Sequence, residues 1–159
     1  MPESPRSGEV APDLGGARPG PQAAAGRPVR QACAGGIVHD AAGRLLLIRR
    51  GRPPSQGSWS VPGGRCLPGE SGAAGCVREV AEETGLQVVV ERFAGRVERA
   101  APDGGIYVID DFVCRVAGGT LRAGDDAADA RWVSRAELAD LPLAPGLDAA
   151  LAEWGLLPS

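Results

Sequence analysis

Short apolar runs alternate with breaker-rich connections along most of this chain, and one longer segment changes to helical spacing. Residues 32–38 and 44–50 are apolar runs of strand length. They are joined by His39-Asp40-Ala41-Ala42-Gly43, whose Asp and Gly favour a turn, so the pair is predicted to be a β-hairpin. Residues 51–57 are a Gly- and Pro-containing loop, followed by a short extended piece at Trp59-Ser60-Val61 and a turn at Pro62-Gly63-Gly64. Over residues 71–84 the positions Ala73, Ala74, Val77, Val80, Ala81 and Thr84 recur at helical spacing, and Gly85 supplies a C-terminal stop. Strands are predicted at about 88–97 and 106–116, linked by the turn-forming Pro102-Asp103-Gly104-Gly105. The second has Ile106, Val108, Phe112 and Cys114 on one side and Tyr107, Ile109 and Val113 on the other. It should therefore lie inside a sheet with a helix packed on each face. Residues 131–133 are a further short strand, Ser134 with Glu137 reads as a capping box, and Leu147, Leu151 and Trp154 mark a last helix ending at Gly155.

Residues 1–29 break this pattern, with five Gly, six Pro and no apolar period. Such a composition buries too little surface to offset chain entropy, so a disordered tail is expected, followed by one domain over 30–159. A length of 159 residues suits a single domain. All 17 basic residues are Arg and the one His is His39. That excludes a lysine Schiff base, a Walker-type lysine and any Ser-His-Asp triad without His39. The net charge of −3 leaves no overall footprint for nucleic acid or a membrane surface, and no 18-residue apolar run spans a bilayer. Cys33, Cys66, Cys76 and Cys114 form no C-x-x-C pair, and the N-terminus lacks the basic and apolar stretches of a secretory signal. The expectation is a cytoplasmic protein with reduced thiols, working through carboxylates and arginines.

Those carboxylates are concentrated in the helix over 71–84. Glu79, Glu82 and Glu83 fall within an arc of roughly 100° opposite the apolar stripe, so they are expected to converge. Converging like charges repel unless a cation or protons compensate them, and oxygen-only ligands suit Mg²⁺ or Mn²⁺. Because Mg²⁺ favours a few carboxylates together with phosphate oxygens, a phosphate or pyrophosphate ester is the expected substrate. Arg78, four residues before Glu82, and Glu70, just ahead of the helix, are placed to orient these groups. Gly72 and Gly75 are expected on the same face, leaving room for residues 62–69 to fold back. Taken alone, E-x-x-E-E also fits an ordinary solvated helix face.

The stretch Gly64, five residues, Glu70, seven residues, Arg78-Glu79-Val80-Ala81-Glu82-Glu83-Thr84-Gly85-Leu86 resembles the full signature of the Nudix hydrolases, GX5EX7REUXEEXGU, at every position. RLLLIRR and GSWSVPGG ahead of it and ARWVSRAEL behind it resemble the family's flanks, over about Val29 to Trp154. The resemblance implies an α/β/α sandwich with a mixed sheet between helices. It further implies Mg²⁺-dependent hydrolysis of a nucleoside diphosphate linked to another moiety. It makes Glu79, Glu82 and Glu83 metal ligands, Gly63 a carbonyl ligand, and Glu70 and Arg78 the orienting shell; Glu79 or Glu83 takes a proton. Family members often add an acidic residue before the last strand, where Asp125-Asp126 stands here with a shorter side chain, and Asp126 is the candidate. The same Gly124-Asp125-Asp126 also reads as a surface turn.

Beyond the signature, Arg50 and Arg52 could grip phosphate or stack on a base, as Arg49 could, or could simply be exposed. Trp59 is a further candidate contact. Asp110 and Asp111 are unusual in an apolar strand: the inward one, Asp111 in this reading, pairs with an Arg or binds ribose or base. Tyr107 and Phe112 are expected mainly in the core. Pro102, sixteen residues after Leu86, resembles the spacing of ADP-ribose pyrophosphatases, so both MutT-like and ADP-ribose-like substrates stand. The expected partner is a nucleotide-type small molecule, without nucleic acid or membrane, the protein acting singly or as a homodimer. The alternative is a catalytically silent Nudix-fold sensor, disfavoured because every carboxylate of the signature is kept.

Overall fold

The computed structural model describes residues 27–159 apart from Pro54; most of the tail expected over 1–29 thus lies outside the described residues. Among these the chain runs β1 (Arg30–Val38), β2 (Leu45–Arg50), β3 (Trp59–Ser60), β4 (Gly63–Arg65), α1 (Gly72–Thr84), β5 (Leu86–Ala100), β6 (Ile106–Gly119), β7 (Ala127–Val133), α2 (Arg135–Ala139) and α3 (Leu147–Glu153). The expected α/β fold with a mixed sheet is present. That sheet has the order β4-β1-β6-β5, with β1 and β6 parallel and the other neighbours antiparallel. A second, antiparallel sheet has the order β3-β2-β7.

The hairpin expected from residues 32–38 and 44–50 does not form. Its turn is made as anticipated, with the Asp40 carboxylate accepting from the Ala42 and Arg44 N–H groups, and His39 bridges Leu45. Past that bridge the two strands part into different sheets. A strand has only two edges, and those of β1 are taken by β4 and β6. β2 instead buries Leu45, Leu46, Leu47 and Ile48 in succession, so both of its faces are covered. The expected turn at Pro62-Gly63-Gly64 is partly a strand as well. Gly63 passes so close to β1 that a Cβ there would lie 2.5 Å from the Ala34 carbonyl oxygen, an approach only glycine allows.

Alternation along β1 and β6 divides the apolar residues between two cores. Ala34, Val38 and Cys114 face α1 and pack with Cys76 and Val80. Ile37 faces the other way, towards Leu45, Leu47, Trp59, Val133, Leu138 and Leu151. β6 is thus covered by α1 on one face only, where a helix on each was expected; on the other, Tyr107, Ile109 and Asp111 line a cleft. Each fully buried Leu, Ile or Val stabilises by about 1.5–3 kcal/mol relative to leaving it exposed. No helix among the described residues is long and apolar enough to cross a membrane.

Candidate active site

α1 is bounded by local signals that the sequence carries openly. The Ser71 hydroxyl accepts from the Ala74 N–H at 3.1 Å, and Gly85, at φ 75°, returns its N–H to the Ala81 carbonyl. Cys76, Val80 and Thr84 anchor one side of the helix in the core. Arg78, Glu79, Glu82 and Glu83 project into a cleft of about 730 Å³.

Arg78 ties most of these charges together. Its Nε and Nη2 donate to the two oxygens of Glu70, both at 2.8 Å, while Nη1 donates to Glu79 at 2.8 Å and to Glu82 at 3.3 Å. A further donation from Nη2 reaches the Arg65 carbonyl at 3.0 Å and fixes the end of β4 to the helix. Bidentate pairing with Arg78 holds the Glu70 carboxyl down at about 2. Burial pushes the Glu79 carboxyl up, against the pull of Arg78. Glu83 is only 7% exposed and accepts from the Gly63 N–H at 2.7 Å; burial raises it to about 8, and nearby Arg50 opposes the rise.

Among the described residues, no three side chains of metal-binding type close round one point tightly enough to cage an ion. Glu79, Glu82 and Glu83 nonetheless share one cleft, with Arg78 Nη1 between Glu79 and Glu82 and the Gly63 N–H on Glu83. The chemistry of the donors still fits a hard divalent cation, because Glu79, Glu82 and Glu83 offer oxygens only and share the cleft with Gly63 and Gly64. A Cβ on Gly64 would sit 2.7 Å from the Glu79 carboxylate, so backbone passes directly over it. Gly75 makes the expected room for the loop, its Cβ position lying 3.0 Å from the Cys66 sulfur. Gly72 faces the Phe112 ring instead.

A family model described as NUDIX domain matches residues 29–154. The chain belongs to the Nudix family. It is 39% identical over 90 residues to an ADP-ribose pyrophosphatase of Methanocaldococcus jannaschii, a match covering 56% of this chain and 53% of that protein. It is 36% identical over 102 residues to a putative 8-oxo-dGTP diphosphatase 2 of Mycobacterium tuberculosis, covering 64% of this chain and 72% of that one. The structure of a MutT protein from Methanosarcina mazei Go1 superimposes with a TM-score of 0.70 at 24% identity, over 79% of this chain and 93% of that one, and supports the fold. The protein is a Nudix hydrolase.

The remaining expected residues of this Nudix site divide into those at the cleft and those away from it. Arg50, Arg52, Asp111 and Asp126 line it. Arg52 pairs with Asp126 at 2.9 Å on the rim. The loop bearing Asp126 is fixed to the end of α1 by Gly124, whose N–H donates to the Glu83 carbonyl at 2.9 Å. Glu70 acts on the cleft through Arg78. Trp59 does not reach it: the ring is 3% exposed in the second core, with the Arg131 guanidinium 4.5 Å above it, so its reading as a substrate contact is corrected. Tyr107 and Ile109, expected in the core, line the cleft instead, together with Arg99, which sequence reasoning did not single out. The period-2 register of Tyr107, Ile109 and Asp111 was the available signal.

Removing Arg78 tests the arrangement. Arg78→Ala is expected to lower kcat/KM by about 10- to 100-fold, with Arg78→Lys failing to restore it, because an ammonium cannot span three carboxylates in the plane of a guanidinium. NMR titration should show the Glu70 carboxyl return from about 2 towards its ordinary value of 4.5. Unchanged kinetics in Arg78→Ala would remove Arg78 from the machinery.

Proposed function

We propose that this Nudix hydrolase cleaves a pyrophosphate bond in a nucleoside diphosphate linked to another moiety. The substrate is a nucleoside triphosphate or a nucleoside-diphosphate sugar such as ADP-ribose, and the cofactor is Mg²⁺, with Mn²⁺ able to replace it. The observation that carries this reading is the meeting of two unlike surfaces in one cleft. Glu79, Glu82 and Glu83 share it with Arg50 and Arg52, while Val97, Tyr107 and Ile109 supply an apolar and aromatic floor. A phosphate chain with an organic group attached needs both. The names of the two relatives, an ADP-ribose pyrophosphatase and a putative 8-oxo-dGTP diphosphatase, support a nucleotide pyrophosphate.

Glu79, Glu82, Glu83 and the Gly63 carbonyl would hold the cation, which when bound neutralises phosphate oxygens and makes water a better nucleophile. The chain's own residues do the rest. Arg78 orients Glu79 and Glu82, and the Gly63 N–H fixes Glu83. Arg50 and Arg52 bring positive charge to the substrate's phosphates, Arg52 exchanging Asp126 for a phosphate oxygen. A carboxylate oxygen of Glu79 or Glu83 accepts the proton of the attacking water. The apolar floor excludes bulk solvent from the group beyond the phosphates.

The full chain should be incubated with Mg²⁺ and nucleoside triphosphates, ADP-ribose, dinucleoside polyphosphates and sugar nucleotides, with released phosphate measured after coupled phosphatase treatment. Turnover of at least one compound, abolished by EDTA, is expected. Silence across the panel would sink the proposal.

A further inference from the structure

Across the mixed sheet one row of paired residues reads Gly63, Gly35, Asp111, Gly95, from β4 through β1 and β6 to β5. Asp111 alone in that row carries a side chain beyond hydrogen, and it lies at the cleft. It leans over Gly35, where a Cβ would lie 2.3 Å from its Oδ1. On the far side of Asp111, Gly95 is covered by the Trp154 ring, 2.2 Å from where a Cβ would stand. The carboxyl is therefore directed along the row towards β4, whose Gly63 N–H holds Glu83.

Asp111 is 6% exposed, and its Oδ1 is buried without a hydrogen-bond partner. Its neighbour Asp110 shows the contrast: on the opposite face, it receives Nε and Nη2 of Arg96 at 2.7 and 3.1 Å. A buried carboxyl oxygen left unpaired costs free energy, so a ligand that brings donors to it gains what the fold gives up. Phosphate oxygens are acceptors, and the ionised carboxyl repels them. Gly35 lies one strand from Gly63, a spacing of about 4.8 Å, so Oδ1 is placed beside the phosphate end of the cleft. Beyond it, on the same face, come Ile109 and then Tyr107, fitted to a flat apolar base. The part of a nucleotide that lies between phosphate and base, and that carries donors, is the sugar.

We propose that Asp111 is a specificity-determining residue whose carboxyl accepts hydrogen bonds from the 2′- and 3′-hydroxyls of a ribose, so that the cleft takes ribonucleotides ahead of 2′-deoxyribonucleotides. This rests on the nucleotide reading above for its class of ligand, and it places the substrate on the ribose side of the two chemistries named among the relatives.

The test is equilibrium binding by calorimetry of AMP, GMP, CMP and UMP and their 2′-deoxy counterparts at pH 8, to the wild-type chain, Asp111→Asn and Asp111→Ala. For at least one base the ribonucleotide should bind about 10- to 100-fold tighter, the range set by one hydrogen bond to a charged group. Asp111→Ala should reduce that ratio to within about twofold while leaving the deoxynucleotide affinity unchanged, and Asp111→Asn should lie between. Since Oδ1 has no partner to lose, the near-isosteric Asp111→Asn should not melt lower than wild type at pH 8, which a structural role would require. Equal affinities within every pair, a gap that survives in Asp111→Ala, a preference that follows the base, or no binding by any of the eight overturns the proposal. Mg²⁺-dependent turnover measured alongside separates the two readings. Turnover without a sugar preference defeats this one alone; a sugar preference without turnover defeats the hydrolase reading alone.

Discussion

Glu83→Gln is expected to lower kcat/KM by on the order of 10³-fold while leaving the fold intact, given the range for losing a carboxyl group that handles a proton or a metal-held water. The two side chains have nearly the same shape, and the amide oxygen can still accept from the Gly63 N–H that holds Glu83 at 2.7 Å. What disappears is an oxygen that can take up a proton or carry charge to a cation, in the most buried of the three glutamates. A melting temperature in EDTA no lower than wild type's would separate lost chemistry from lost structure. Kinetics within threefold of wild type would exclude Glu83 from the reaction, and with it the functional meaning of the signature's last glutamate.

The second large effect concerns stability against pH. The Asp111 carboxyl is raised from 3.8 to about 7, first by burial, then by Asp110, with Arg99 opposing. Because the folded value is the higher one, the native state prefers the neutral acid, and stability is lost as pH rises between the two values. Below pH 3.8 both states hold the proton and nothing is lost; above about 7 the loss is complete. Asp111→Asn removes this titration. Its stability relative to wild type should therefore grow by about 3 kcal/mol between pH 5 and pH 8, at 1.36 kcal/mol for each unit over which only the unfolded carboxyl ionises. Comparing the two pH values cancels the constant cost of burying an amide. Urea unfolding at both settles it: a difference that does not change with pH would mean that Asp111 titrates as an ordinary exposed carboxyl.

The two effects show how this site is made. Glu83 and Asp111 are both carboxyls that the fold buries at a cost, one against the Gly63 N–H and one over Gly35. Arg78, by contrast, neutralises its neighbours at the cleft edge with five donations to Glu70, Glu79, Glu82 and the Arg65 carbonyl. Stability is withheld where a ligand is to bind and supplied where the binding groups must be held still.

The sequence by itself determined whatever depends on near neighbours in the chain. Ser71 and Gly85 set the limits of α1, the spacing of Glu79, Glu82 and Glu83 put them beside one another, and Ser134 with Glu137 capped α2. Pro102 to Gly105 turned β5 into β6. These are contacts within a few residues, whose geometry follows from helical or turn periodicity. Tertiary structure alone decided the rest. β1 had both edges occupied by distant strands, so the neighbouring β2 could not pair with it. Trp59, in a short extended piece next to a loop, was drawn into a core assembled from β2, β7, α2 and α3. Tyr107 and Ile109 had the apolar pattern of a covered strand, but their face opens on the cleft. The glutamates that the helix aligns are held by Arg78 and by the Gly63 N–H, and Asp111 is buried over Gly35 of β1 with the Trp154 ring over Gly95 beside it. Pairing edges, closing distances and withdrawing water from a carboxyl depend on groups far apart in sequence, and only the folded chain brings them together.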